Sequence, residues 1–202
     1  MISVDRFIAP SSARSSWMAA RVGGVTATQV ARAATPKGFE DELQGVLNPT
    51  EILDNPYMAF GRDNEQWIML ALKDEYGVLP NEWLVAHETE RWQLATPDGL
   101  SLDHRMTAEV KTTGTDWGSW DKVPIHYRRQ VQWQLHVTGA ETSVFAWLLR
   151  KENKFGQFVP AWFEPKSVLV ERDEKMIEQL REVATRLRDS IAELSATTKG
   201  KE

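Results

Sequence analysis

Apolar positions along the chain follow two different periods, and the switches between them mark out elements. After Asn55-Pro56 the residues Phe60, Trp67, Ile68, Leu70 and Leu72 recur at helical spacing. Asn55 suits an N-cap, Pro56 a first turn and Gly77 a stop, so a helix is predicted over 56–75. A second helix begins after Pro124 in "PIHYRRQVQWQLHVTG" and ends at Gly139. A third, "ERDEKMIEQLREVATRLRDSIAEL", gathers Met176, Ile177, Leu180, Val183, Ala184, Leu187, Ile191 and Leu194 on one side. Nearer the start, "WMAARVGGVTATQVARAA" reads as a short helix, a Gly-Gly turn and a helix opening near Thr26–Thr28, which can cap it.

Between the helices the period shortens. "EWLVAHETERWQLATPDG" reads as a hairpin, "TAEVKTT" as a further strand, and "TSVFAWLLR" and "FGQFVPAWFEP" as two strands about the charged turn "KENKFG". "LQGVLNPTEILDN" reads as a loop. These elements predict one α/β domain over 1–195, a mixed sheet flanked by helices, and a disordered tail over 196–202.

Composition narrows the class. The 202 residues carry 42% apolar side chains and nine tryptophans, which suits a packed core. With no cysteine, disulfides, thiolate zinc sites and iron–sulfur clusters are excluded. No apolar run reaches membrane-spanning length, and "MISVDRFIAPSSARSSW" lacks the order of a signal peptide, so a cytoplasmic protein is expected. The net charge of −5 argues at first against a nucleic-acid partner. Its distribution changes that picture. Residues 1–38 hold five basic and one acidic side chain, 39–104 hold three and fourteen, and 105–166 hold nine and six. An acidic block between two basic ones suits cations in the middle and anions on the flanks, although acidic helices facing water give the same pattern.

The chemistry concentrates in "ATPDGLSLDHRMTAEVKTT". On a strand, Glu109 and Lys111 share one face while Val110 points into the core. Asp98, at the Pro-Asp-Gly bend ending the preceding strand, can be brought beside them. Two carboxylates, a backbone carbonyl near Val110 and waters would satisfy an octahedral Mg²⁺. Lys111 would orient an attacking water and offset charge on a phosphoryl group. The competing reading is an ordinary solvated hairpin. In "AFGRDNEQW", Gly61 and Glu65 lie one helical turn apart, so Glu65 is either a third metal carboxylate or a solvated helix residue. In "YRRQVQWQLHV", Tyr127, Gln130 and Gln134 share one helical face; Gln130 could hold the nucleophilic water, Arg128 and Arg129 could touch a DNA backbone, and Gln134 reads as outward-facing. The histidines show no paired zinc spacing, and Trp117 and Trp120 read as core or as DNA or subunit contacts.

The order "SSWMAARVGGVTATQVA", "FGRDNEQW", "TPDGL", "AEVKTT" and "YRRQVQWQLHVTG" resembles the lambda-phage exonuclease family within the PD-(D/E)xK nuclease superfamily. The resemblance implies a restriction-endonuclease-like fold and a Mg²⁺-dependent 5′→3′ exonuclease on double-stranded DNA with an end, Mn²⁺ substituting for Mg²⁺. It implies metal ligands at Asp98, Glu109, Glu65 and the Val110 carbonyl, a catalytic lysine at Lys111, a Tyr–x–x–Gln motif at Tyr127 and Gln130, and 5′-phosphate receptors at Arg21 and Thr28. It also implies a homo-oligomer, a trimeric ring, working with a single-strand annealing protein, and a phage or prophage origin. "KTT" departs from the family's frequent Lys–Cys–Pro. Two rivals stay open: an endonuclease or end-trimming repair nuclease on the same fold, and a DNA-binding module without catalysis.

Overall fold

Strand Met106–Thr113 (β7) organises the molecule, because its alternate side chains serve opposite layers. Ala108 and Val110 enter one core cluster, while Glu109 faces the other way and is 1% exposed. A computed structural model describes residues 1–48 and 53–199. Preceding β7 are strands Phe7–Pro10 (β1), Val25–Thr26 (β2), Val78–Pro80 (β3), Trp83–Ala86 (β4), Gln93–Ala95 (β5) and Gly99–Ser101 (β6). Thr142–Glu152 (β8), Phe158–Pro160 (β9) and Lys166–Glu171 (β10) follow it. The helices are Arg14–Ala20 (α1), Ala27–Ala33 (α2), Pro36–Leu47 (α3), Pro56–Tyr76 (α4), Ile125–Thr138 (α5) and Glu174–Lys199 (α6).

The larger sheet runs β10-β8-β7-β6-β3, with β9 added against β8. β7 and β8 are parallel and in register from Met106–Thr142 to Thr113–Leu149; the other pairings in this sheet are antiparallel. A parallel pair needs a crossover, and α5 supplies it. A smaller sheet, β1-β4-β5-β2, carries the expected β4–β5 hairpin. On one face of the larger sheet α4 buries Phe60, Ile68, Met69 and Leu72 against Val110, Val144, Ala146 and Leu148. On the other, Val131 and Leu135 of α5 meet Phe145 and Trp147. The α6 stripe then closes over α2 and α5 through Leu180, Ala184 and Leu187. Each such large apolar side chain contributes about 1.5–3 kcal/mol on burial, which is why α6 docks on its own domain.

Several boundaries differ from the sequence reading. Residues 43–47 of the expected loop belong to α3, which starts properly: Thr35 accepts from the Gly38 N–H and Pro36 takes the first turn. Of the apolar side chains of α3 only Phe39 and Leu43 pack on the core, while Val46 and Leu47 stay exposed. Residues 49–52 of that loop lie outside the described residues. In α4 the buried position is Met69, whereas Leu70 is 54% exposed, because Ile68, Met69 and Leu72 share the inward face. Thr26, through a capping box with Gln29, caps α2; Thr28 does not. α6 continues through Lys199, past the 196 boundary of the expected tail; "SATT" carries no helix breaker, and Ser195 Oγ donates to the Ile191 carbonyl inside the helix. Residues 200–202 lie outside the described residues. β1, β2, β3, β6 and β10 were not anticipated, and most are too short to display alternation.

Candidate active site

Pro97-Asp98-Gly99 carries the chain from β5 into β6. The Asp98 N–H donates to the Ala108 carbonyl at 2.9 Å, and its own carbonyl accepts from the Asn81 N–H at 2.9 Å. The backbone on both sides of the carboxylate is thereby pinned. Gly99 must lack a side chain: a Cβ there would fall 2.6 Å from Met69 Cε and from Val78 Cγ1. So fixed, Asp98 turns its carboxylate onto the next strand, where Oδ2 accepts from the Val110 N–H at 2.7 Å.

Glu109 is held by three donors. Lys111 Nζ and Gln130 Nε2 donate to Oε1, the latter at 2.6 Å, and Gln134 Nε2 donates to Oε2 at 2.5 Å. Lys111 Nζ also lies 5.3 Å from the centre of the Tyr127 ring. Gln134 is fully buried. It therefore faces inward, contrary to the sequence reading, and the signal was its one-turn spacing from Gln130. Electrostatics agree with the geometry. Burial, then the charge of Glu109, pushes the Asp98 carboxyl up to about 8 from its ordinary 3.8. Burial works against the Lys111 ammonium, but Glu109 and Asp98 outweigh it and hold its pKa above the usual lysine value.

Asp98 and Lys111 open into a cleft that Glu65, Tyr57, Tyr127 and Arg150 also line. Glu65 is exposed on its wall and adds a little to the Asp98 shift. Among the described residues no group of three or more His, Cys, Asp or Glu is placed to hold a metal. Tyr127 is shared with a second, net basic cleft, where Arg32, Lys37 and Arg129 outnumber Asp41 and Glu42 and where Thr28 and Gln130 also stand. The two sequence-predicted arginines of α5 thus divide. Arg129 faces the basic cleft, whereas Arg128 turns toward Trp120 and reaches the Asp121 carbonyl at 3.4 Å. Arg21 lies over Trp17, 4.2 Å from its ring centre, while Thr28 stands on the cleft itself. Arg32, Lys37, Tyr57 and Arg150 were not singled out from sequence, where nothing distinguishes them from other polar surface residues.

The remaining candidates are structural. Trp117 and Trp120 pack on Phe145. His104, in the left-handed region at φ 61°, accepts from the Ile2 N–H. His87 and His136 stack at 4.6 Å, and burial pushes His136 down to about 4. No helix among the described residues is long and apolar enough to cross a membrane.

Helices on both faces of a mixed sheet, with an acid at the bend before β6 and a buried glutamate and a lysine on β7, match the restriction-endonuclease-like α/β class. Within it, the chain belongs to the YqaJ-like viral recombinase domain family, whose model matches residues 16–141. Its fold is similar to that of LHK-Exo, an alkaline exonuclease from Laribacter hongkongensis, at 24% identity over 92% of this chain and 98% of that one, with a TM-score of 0.65, and 0.68 for LHK-Exo in complex with dAMP. A phage related exonuclease from Haemophilus somnus 129PT is similar at 12% identity, covering 87% of this chain and 96% of that one, with a TM-score of 0.69. A search of curated protein sequences finds no match.

Proposed function

We propose that the protein is a Mg²⁺-dependent exonuclease that degrades one strand of double-stranded DNA from its 5′ end, leaving 3′ single strands for recombination. The observation that carries this reading is the meeting of Asp98, Glu109 and Lys111 at a cleft that adjoins a basic one. Membership of a viral recombinase family and a fold shared with exonucleases support it.

The donor set fits a hard divalent cation. Asp98 uses Oδ2 on Val110 and leaves Oδ1 without a protein partner among the described residues. Its raised pKa also marks two carboxylates with too little positive charge between them. Asp98, Glu109, Glu65 and the Val110 carbonyl would hold Mg²⁺ (or Mn²⁺). Bound there, the ion supplies positive charge to the scissile phosphate and lowers the pKa of an attacking water. Lys111 offsets charge on the phosphoryl oxygens and, with Gln130, fixes the orientation of Glu109. Tyr127 forms the ridge between the clefts. Thr28 and Arg129 contact phosphates on the basic side, and Arg21, beyond it, takes the 5′-terminal phosphate. A homo-oligomer, a trimeric ring in this reading, threads the duplex, and a single-strand annealing protein takes the product.

Linear duplexes with a 5′-phosphate or a 5′-hydroxyl and a label on each strand, digested with Mg²⁺, test activity and polarity together. A 3′ label is expected to stay on a progressively shortening strand and a 5′ label to leave at once as a mononucleotide, both faster with the 5′-phosphate. Lys111→Ala is expected to lower the rate by about 10²–10³ while duplex binding persists. Wild-type cleavage by that variant would defeat the assignment, and cleavage of a covalently closed circle would make the protein an endonuclease instead.

A further inference from the structure

The cleft of Asp98 and Lys111 also holds an aromatic–guanidinium group that no catalytic step above uses. Three elements build it. Asn55 caps α4 by accepting from the N–H groups of Tyr57 and Met58, both at 3.0 Å, and so fixes the turn that presents Tyr57. Phe158 of β9 stacks on the Tyr57 ring, with centres 4.9 Å apart and planes tilted by 30°. From β8, the Arg150 guanidinium lies 4.6 Å from the Tyr57 ring centre and 5.5 Å from that of Phe158.

This group is preorganised yet unspent. The Tyr57 ring remains 54% exposed although backed by Phe158. Arg150 makes no ion pair or hydrogen bond among the described residues, so its donors stay available, unlike those of Arg62, Arg105 and Arg172, which each engage a carboxylate. Both side chains line the cleft of Asp98 and Lys111. A flat ring and a free guanidinium beside a cation-binding pair of carboxylates match one ligand chemistry, a planar base joined through a sugar to a phosphate.

We propose that Tyr57 and Arg150 form the subsite for the nucleotide beside the scissile bond, Tyr57 stacking its base and Arg150 binding its phosphate. The proposal rests on reading the Asp98–Glu109 centre as the place of cleavage. It gives that reaction a positioning element without base preference: stacking accepts every base, because each has a π-face, so a strand of any sequence can be fed through one nucleotide at a time.

The experiment compares binding of dAMP and of 2-deoxyribose 5-phosphate, with Mg²⁺ present, to the full-length protein and to Tyr57→Ala and Tyr57→Phe, by calorimetry. Wild type is expected to prefer dAMP by about tenfold or more, the alanine variant to lose that preference, and the phenylalanine variant to keep it. Arg150→Gln is expected to weaken both ligands alike. Equal binding of the two ligands by wild type, or a preference that survives in Tyr57→Ala, overturns the subsite. Because nothing is cleaved, the result is independent of the nuclease reading. A dAMP preference in a protein that digests no DNA would keep the subsite and lose the activity, and digestion without the preference would do the reverse.

Discussion

Asp98 is the residue at which structure and chemistry pull hardest against each other. Its carboxyl stands at about 8 when no cation is bound, against 3.8 in a free chain. An acid so raised binds more protons folded than unfolded between those two values, so its contribution to stability is full below pH 3.8 and is lost as pH rises through about 8. Thermal unfolding of the metal-free protein across that window is expected to show falling stability attributable to this group. The D98N protein is expected to show a flatter profile, and Mg²⁺ is expected to restore wild type at the alkaline end, since the cation replaces the proton. An identical slope in wild type and D98N would mean that another group titrates there. Glu109, also buried, accepts hydrogen bonds from an ammonium and two amides. The sequence placed Glu109 and Lys111 on one face by alternation alone. Gln134 was misread because a glutamine looks polar in sequence, and only a buried acceptor across the helix–sheet interface makes it an inside residue.

At the scale of elements, caps and stops were readable and short strands were not. Asn55 and Gly77 bound α4 as anticipated, and Gly139 ends α5 at φ 77°, a conformation that favours glycine. β3 and β6 are three residues each, and their pairing is decided by neighbours distant in sequence. Gly99 shows how tightly that pairing is packed. Gly99→Ala is expected to cost about 1–3 kcal/mol, because Met69 and Val78 must move to admit the methyl group. A lowered denaturation midpoint with an unchanged m-value checks it. An unaltered midpoint would show that both neighbours yield freely. The displacement also reaches Asp98 next door, so Mg²⁺ affinity should fall in the same variant.

For the whole molecule, the charge blocks of the sequence become adjoining clefts. Glu65 of α4 and Asp98 at its bend face one cleft together with Lys111 and Arg150, and in the next the basic side chains of α2, α3 and α5 outnumber Asp41 and Glu42. A protein of net charge −5 must bind a polyanion through such a local surface. Duplex affinity is therefore expected to fall steeply with salt. The double variant Lys37→Ala, Arg129→Ala should reduce the slope of log affinity against log salt by about 1.8, at about 0.9 per lost phosphate contact. An unchanged slope would put the duplex on another surface.

What the amino-acid order determined by itself was whatever depends on near neighbours: the α4, α5 and α6 stretches from apolar spacing and caps, the β4–β5 hairpin, and the side-by-side placement of Glu109 and Lys111. Folding alone decided which distant groups meet. It brought Asp98 against Val110, two glutamines of α5 onto Glu109, and Tyr57 and Arg150 to one wall, and it turned Arg128 toward the Asp121 carbonyl. Local periodicity constrains direction along one element, whereas these meetings depend on how strands pair and how helices cross them, which no short window of sequence contains.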